Sequence, residues 1–183
     1  MAKVFVISGH SGAGKTTIAY EILKQVKGVE KVITCTTRKM RKGEKDGKDY
    51  KFVSKEKFEK WIKENKLGEY EEYAGNYYGS LKEDAKKILD SGKNAMFVVE
   101  TKGALTFKKI FENSILIFIK APSLIELANR LRVRGENEEL IQKRLGEIAG
   151  ELKREKKFDY VVVNDNLGIA VNEVKSIIKK ETK

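Results

Sequence analysis

The segment Gly9-His10-Ser11-Gly12-Ala13-Gly14-Lys15-Thr16 matches G-x-x-x-x-G-K-[ST] without deviation. Its flanks restrict the fold further. Lys3 to Ser8, KVFVIS, is a short β-branched apolar run that reads as a buried strand, and a helix-forming stretch follows from Lys15 to about Val26. A strand, a glycine-rich loop and a helix in this order form a phosphate cradle. The glycines let several backbone N–H groups turn into one concavity, and the helix N-terminus adds a field that favours anions. The cradle residues are Gly9, Ser11, Gly12, Ala13, Gly14, Lys15, Thr16 and Thr17. Lys15 can neutralise the β- and γ-phosphates, and the Thr16 hydroxyl can sit on Mg²⁺. The motif therefore predicts a nucleoside triphosphate with Mg²⁺ as cofactor. It does not name the acceptor. His10 reads as a loop filler, because no second metal ligand lies near it in sequence.

Beyond the loop, apolar runs alternate with helical patterns. VITCTTR (Val32 to Arg38) reads as the next strand, and a basic glycine-containing loop follows from Arg38 to Lys48. DYKFVS is a short strand candidate ending at Ser54, which suits the N-cap of the helix KEKFEKWIKEN. Phe58, Trp61 and Ile62 fall on one face of that helix and read as core. Glu69 to Tyr78 is aromatic, with Gly75-Asn76 as a turn signal. Ser80-Leu81-Lys82-Glu83 has the capping-box pattern for a helix ending near Gly92. AMFVVE, SILIFIKAP and DYVVVND are buried strands separated by helices, and Ser123 caps the helix after Pro122. Apolar strands between helices predict a parallel sheet covered on both faces, hence an α/β three-layer fold. The stretch from Thr34 to about Lys82 has shorter, more aromatic elements and reads as an insertion.

Composition narrows the function. With 183 residues the chain suits one domain, and the sequence MAKVFVISGH lacks the regions of a signal peptide. No apolar run is long enough to cross a bilayer, so a cytoplasmic protein without a membrane partner is expected. One cysteine, Cys35, excludes an internal disulfide framework, and it reads as a small buried filler. Lys and Arg total 38 against 27 Asp and Glu, a net charge of +11. No nucleic-acid motif accompanies that charge, and the lysines are scattered, which favours a solvated surface over a nucleic-acid binder.

Four further segments suggest the acceptor. They are Thr36-Thr37-Arg38 with Arg41, Gly43 and Glu44; Gly47-Lys48-Asp49-Tyr50 with Phe52; Gly75-Asn76-Tyr77-Tyr78-Gly79-Ser80; and Pro122-Ser123 followed by Arg130-Leu131, Arg134-Gly135 and Arg144-Leu145. In this order, after the phosphate loop, they closely resemble the guanylate kinase family over about Val4 to Ile178. The resemblance implies a P-loop fold with a parallel core sheet, an inserted mixed α/β GMP-binding subdomain and a helical lid. It divides the chain into a core (1–33, 83–133 and 157–183), a GMP-binding subdomain (34–82) and a lid (134–156). It implies transfer of the ATP γ-phosphoryl group to GMP, with dGMP as a further acceptor. Carried over by position, Thr34, Glu69 and Ser80 face the guanine, while Arg38, Arg41, Tyr50 and Tyr78 hold the GMP phosphate. Glu100 also falls on the GMP side. Lys15, Arg38, Arg130, Arg134 and Arg144 act on the transferring group. Arg130, Arg134 and Asn164 join the ATP site, Asn164 near the adenine. A monomer or a homodimer is compatible with this reading.

The residue chemistry is consistent with the resemblance. Arginine forks suit a phosphate monoester, and a carboxylate such as Glu69 can accept from both N1–H and N2–H₂ of guanine. Five of the seven arginines occupy the named phosphate-facing positions; Arg132 and Arg154 read as surface or lid residues, with Arg154 as a candidate second lid contributor. The family pattern often has an acidic-x-acidic pair followed by Gln-Gly where this chain has Val98-Val99-Glu100-Thr101-Lys102-Gly103. Val98 replaces the first acid, and Lys102 replaces the glutamine. Two other readings of the same resemblance are a kinase of another phosphorylated acceptor and a non-catalytic binding module. Glu69, Ser80 and GNYYG argue against the first, and the complete phosphate loop argues against the second.

Overall fold

The computed structural model describes residues 2–73 and 75–183, so position 74 of the aromatic stretch lies outside the described residues. Along the chain, β1 (Val4–Gly9), α1 (Lys15–Gln25) and β2 (Val29–Lys31) are followed by β3 (Cys35–Thr36), β4 (Lys51–Phe52) and α2 (Lys55–Lys63). Next come β5 (Leu67–Tyr73), β6 (Asn76–Leu81), α3 (Lys82–Asp90), β7 (Asn94–Val98), α4 (Thr101–Ile110) and β8 (Ile115–Lys120). The chain closes with α5 (Leu124–Val133), α6 (Glu138–Glu155), β9 (Tyr160–Val163) and α7 (Leu167–Glu181).

Five strands form a parallel sheet in the order β2-β7-β1-β8-β9. The two-residue period of β1 sends alternate side chains to opposite cores. Phe5 and Ile7 pack with Ile18 and Ile22 of α1 and Val174 and Ile178 of α7. Val4 and Val6 pack with Ala85 of α3 and Ala104 and Phe107 of α4. Burial of β1 on both faces explains its unbroken apolar run. The α/β class and the parallel sheet follow the sequence expectation.

A second sheet, β4-β3-β6-β5, is inserted between β2 and β7 and is mixed in direction. Its small core holds Cys35, Phe58 and Leu67, with Trp61 and Ile62 packed against them. Phe58 also stacks on Tyr77 with ring centroids 5.3 Å apart. Burial pushes the Cys35 thiol up to about 12, so it is an inert filler, as its sequence context suggested.

Local capping fixes the helix starts. Ser54, Ser123, Asn137 and Asn166 each accept a backbone N–H near the start of α2, α5, α6 and α7. Two local expectations are corrected. Val32 to Arg38 is not one strand: the core strand is the earlier β2, and the chain then leaves for the second sheet, where only Cys35 and Thr36 pair. Ser80 does not cap α3. It is buried in β6, the cap position is Leu81, and no side chain caps that helix.

Candidate active site

The glycine-rich loop leaves the C-terminal end of β1 and wraps the start of α1. Two of its glycines are demanded by geometry. Gly9 has φ +136°, and a Cβ there would lie 1.8 Å from the Ile119 carbonyl oxygen. Gly14 has φ +95° at the N-cap, where a Cβ would meet the Asn164 amide at 2.3 Å. The Ala13 N–H donates to the His10 carbonyl at 3.1 Å, and Asn164 Nδ2 donates to the Ala13 carbonyl at 2.8 Å. Asn164 is thus a buried brace beneath the loop. His10 is buried with its ring edge-on to Phe118, a packing position in keeping with the filler reading.

Lys15 is buried and folded over its own loop. Its Nζ donates to the Gly9 and His10 carbonyls at 2.7 and 3.2 Å. Glu100, at the N-cap of α4, stands 3.3 Å from the same ammonium. Thr16 and Thr17 are exposed on the first turn of α1.

Facing the loop is the second sheet. Glu69 on β5 pairs across to Ser80 on β6, whose hydroxyl hydrogen-bonds its carboxyl. The carboxyl packs against the first turn of α4, where a Cβ on Gly103 would approach Glu69 Oε2 to 3.2 Å. Burial pushes the Glu69 pKa up to about 7; the Ser80 hydrogen bond opposes this, and the charges of Glu71 and Glu100 add to it. Arg38 lies over the Tyr50 ring at 5.5 Å and the Phe52 ring at 5.7 Å. Its Nη2 donates to Glu44 at 2.6 Å; that hydrogen bond holds the guanidinium pKa up and the Glu44 carboxyl down. The Tyr50 and Tyr78 rings meet edge-on at 6.1 Å, and burial raises the Tyr50 hydroxyl pKa. Arg41 is exposed, and its backbone N–H donates to Glu44 at 2.7 Å.

The third wall is α6. Arg144 donates from Nη1 to the Ser11 hydroxyl, and its Nε is 2.9 Å from Glu136 without hydrogen-bond alignment. Arg130 is held by Glu126 at 2.7 Å, and Arg134 is exposed at the C-cap of α5.

These walls enclose a cavity of about 790 Å³. Of the residues predicted from sequence, Ser11, Thr34, Tyr50, Glu69, Tyr78, Glu100 and Arg144 line it. Arg38 stands behind Tyr50. Ser80 stands behind Glu69. Arg41, Arg130 and Arg134 are off the wall in this conformation. Val98 and Lys102, the two departures from the family pattern, are on it. Sequence reasoning gave no role to Glu71 or Lys143, and only a surface or lid reading to Arg154; all three line the same space. For Glu71 the signal was available: it lies two residues after Glu69 on a strand and so faces the same side.

A family model described as guanylate kinase matches residues 1–181. The guanylate kinase of Desulfitobacterium hafniense (strain Y51) is 42% identical over 179 residues, covering 97% of this chain and 90% of that protein. The guanylate kinase of Chlorobium chlorochromatii (strain CaD3) is 43% identical over 178 residues, covering 96% and 94%. The crystal structure of guanylate kinase from Anaplasma phagocytophilum matches with a TM-score of 0.77 at 30% identity, covering 98% of this chain and 86% of that one.

Proposed function

From the premise that the chain belongs to the guanylate kinase family, we propose how its own residues carry out the transfer of the ATP γ-phosphoryl group to GMP. The chain is a nucleoside monophosphate kinase. What supports the detailed reading is one juxtaposition: Glu69, Tyr50 and Tyr78 share a cavity with His10, Ser11 and Glu100 at the phosphate loop.

The loop amides and Lys15 take the ATP phosphates, and Lys15 gives up its two carbonyl partners to do so. Arg38, Arg41, Tyr50 and Tyr78 take the GMP phosphate. The ionised Glu69 accepts from guanine N1–H and N2–H₂, with Thr34 and Ser80 beside it. Adenine would present an acceptor nitrogen to that carboxylate and leave it unpaired in a desolvated place, which is how the site rejects AMP. The acceptor oxygen of GMP is already anionic near neutral pH, so no general base is needed. Lys15, Arg38 and Arg144, joined by Arg130 and Arg134 on closure, offset the charge that spreads over the transferring group. Closing the acceptor subdomain (34–82) and the lid (134–156) over the core excludes water and prevents ATP hydrolysis.

A magnesium ion fits these residues. Thr16 presents its hydroxyl on the exposed first turn beside Lys15. Among the described residues no cluster of three or more His, Cys, Asp or Glu side chains forms a cage. That suits a cation carried mainly by the nucleotide phosphates. When bound, Mg²⁺ supplies charge neutralisation between the β- and γ-phosphates. Among the described residues no helix is long and apolar enough to cross a membrane. We assign the enzyme to the cytoplasm, where both nucleotides are present.

Coupled measurement of ADP formation against GMP, dGMP, AMP and sugar phosphates tests the assignment. GMP, with dGMP behind it, should be the preferred acceptor; equal rates with a sugar phosphate would overturn the role given to Glu69.

A further inference from the structure

Among the described residues four arginines face a carboxylate: Arg38 with Glu44, Arg130 with Glu126, Arg132 with Glu138 and Arg144 with Glu136. The first three pairs are joined by aligned hydrogen bonds of 2.6 to 3.0 Å. The fourth is different. Arg144 Nε stands 2.9 Å from Glu136 Oε2, both atoms are shut away from solvent, and neither makes a hydrogen bond within the protein. Most buried polar atoms are paired, so two that touch without aligning call for a reason. The Glu136 side chain is 18% exposed, against 41% for Glu126 beside Arg130, so this contact is the better shielded of the two.

Backbone geometry holds Glu136 from both sides. α5 closes in a Schellman motif: Gly135 takes φ +82°, its N–H donates to the Arg132 carbonyl at 2.9 Å, and the Glu136 N–H donates to the Leu131 carbonyl at 3.2 Å. The next residue, Asn137, already caps α6 by accepting the Leu140 N–H at 2.8 Å. Glu136 is thus fixed between a helix end and a helix start. Arg144 lies about two turns into α6, and long helical side chains lean toward the helix N-terminus, which carries its stem back to Glu136. From the same guanidinium Nη1 donates to the Ser11 hydroxyl. A chain from Glu136 through Arg144 to Ser11 therefore ties the α5–α6 junction to the phosphate loop. Arg144 and Ser11 line the cavity, and Glu136 stands behind its wall.

We propose that Glu136 is a positioning residue for Arg144, and that its hydrogen bond to Nε is completed when a nucleotide phosphate draws Arg144 off Ser11. This rests on the kinase reading above. A guanidinium presents its donors in one rigid plane, so turning Nη1 from a hydroxyl to a phosphate oxygen turns Nε with it. The unaligned Nε–H then points at Glu136. One edge of the fork is locked on the carboxylate, and the other faces the transferring group. Glu136 acts through Arg144 and touches no substrate. Removing one partner of a shielded pair leaves the other charge uncompensated, so this carboxylate matters more than those of the exposed pairs.

The test uses the full-length enzyme. Glu136→Gln keeps the shape and removes the charge. It should lower kcat about tenfold to thirtyfold and leave KM for ATP and for GMP each within about threefold, the pattern of an interaction felt in the transition state. In an Arg144→Ala background the same change should alter kcat by less than about twofold, because the group it acts through is gone. A second readout is independent of turnover. In enzyme carrying isotope-labelled arginine, the Arg144 Nε–H resonance is assigned by its absence from Arg144→Lys. It should sharpen and move downfield when a non-hydrolysable ATP analogue binds to wild type, and stay unmoved in Glu136→Gln. Additive losses in the double variant, a higher kcat in Glu136→Gln, or an Nε–H resonance that responds alike in both proteins would overturn the proposal. If wild type itself shows no GMP turnover in the same assay, the kinase reading fails and the positioning role falls with it. If wild type turns over normally while the losses are additive, only the positioning role fails.

Discussion

The loop beneath Lys15 presents main-chain groups and is backed by a core of sixteen buried residues. Arg38, Tyr50 and Tyr78 instead reach out as side chains from a subdomain whose buried core, among the described residues, is Cys35, Phe58 and Leu67. On the proposed reading both regions face anions, yet they differ in what they can discriminate. Backbone amides are the same in every residue, so a loop of this kind recognises a phosphate chain and little else. Side-chain forks, hydroxyls and a buried carboxyl read the identity of the group attached to the phosphate. The size of the backing core matters as well. A region with few buried apolar contacts opens at a lower free-energy cost than the large core. The proposed reading thus places generic binding on the larger core and selective binding on the smaller one.

The sharpest way to break this division is at Lys15. Lys15→Ala should lower turnover at least about a thousandfold while GMP affinity, read by calorimetry, stays within about threefold. Near-normal turnover would show that the loop is not the phosphate cradle. Gly9→Ala strikes the same side through the fold. The left-handed backbone and the Ile119 carbonyl leave no room for a methyl group. A loss of about 3 kcal/mol or more is expected in urea unfolding. On the selective side, Arg38→Ala should raise KM for GMP about fiftyfold and leave KM for ATP within about threefold. Equal losses for both nucleotides would erase the distinction between the two walls.

The smallest effect is a pH dependence. Glu69 has its pKa raised to about 7, so the charged form that the proposed guanine contact requires is lost as pH falls below that value. KM for GMP should rise about tenfold from pH 8 to pH 6 in wild type beyond the change due to the phosphate of GMP itself. Glu69→Gln, assayed in parallel, retains only the latter. Stability runs the opposite way. A carboxyl whose pKa is raised on folding favours the native state below about pH 4.5, and that contribution disappears as pH rises toward 7. Glu69→Gln should therefore be at least as heat-resistant as wild type at pH 8, measured as Tm.

The same contrast governs what the sequence made legible. The loop from Gly9 to Thr16, the buried strands and the caps Ser54 and Ser123 are local features, set by residues adjacent in the chain. The errors occur where a distant partner decides. Val32 to Thr37 is β-branched at every position but Cys35, and nothing local marks the point at which the chain changes sheets. Ser80 has the spacing of a helix cap, but Glu69 on the neighbouring strand takes its hydroxyl. Thr34, Tyr50, Glu69 and Tyr78 were found through resemblance, and no periodicity could have brought them to one wall.

The carbonyls of Gly9 and His10, together with Glu100, already occupy the ammonium that an incoming nucleotide needs. They behave as a tethered rival for that site, present at an effective concentration of the order of millimolar or above. Such a rival limits how tightly the spent diphosphate can be retained and so speeds its departure. Glu100→Gln weakens the rival, and stopped-flow displacement should show ADP leaving a few-fold more slowly.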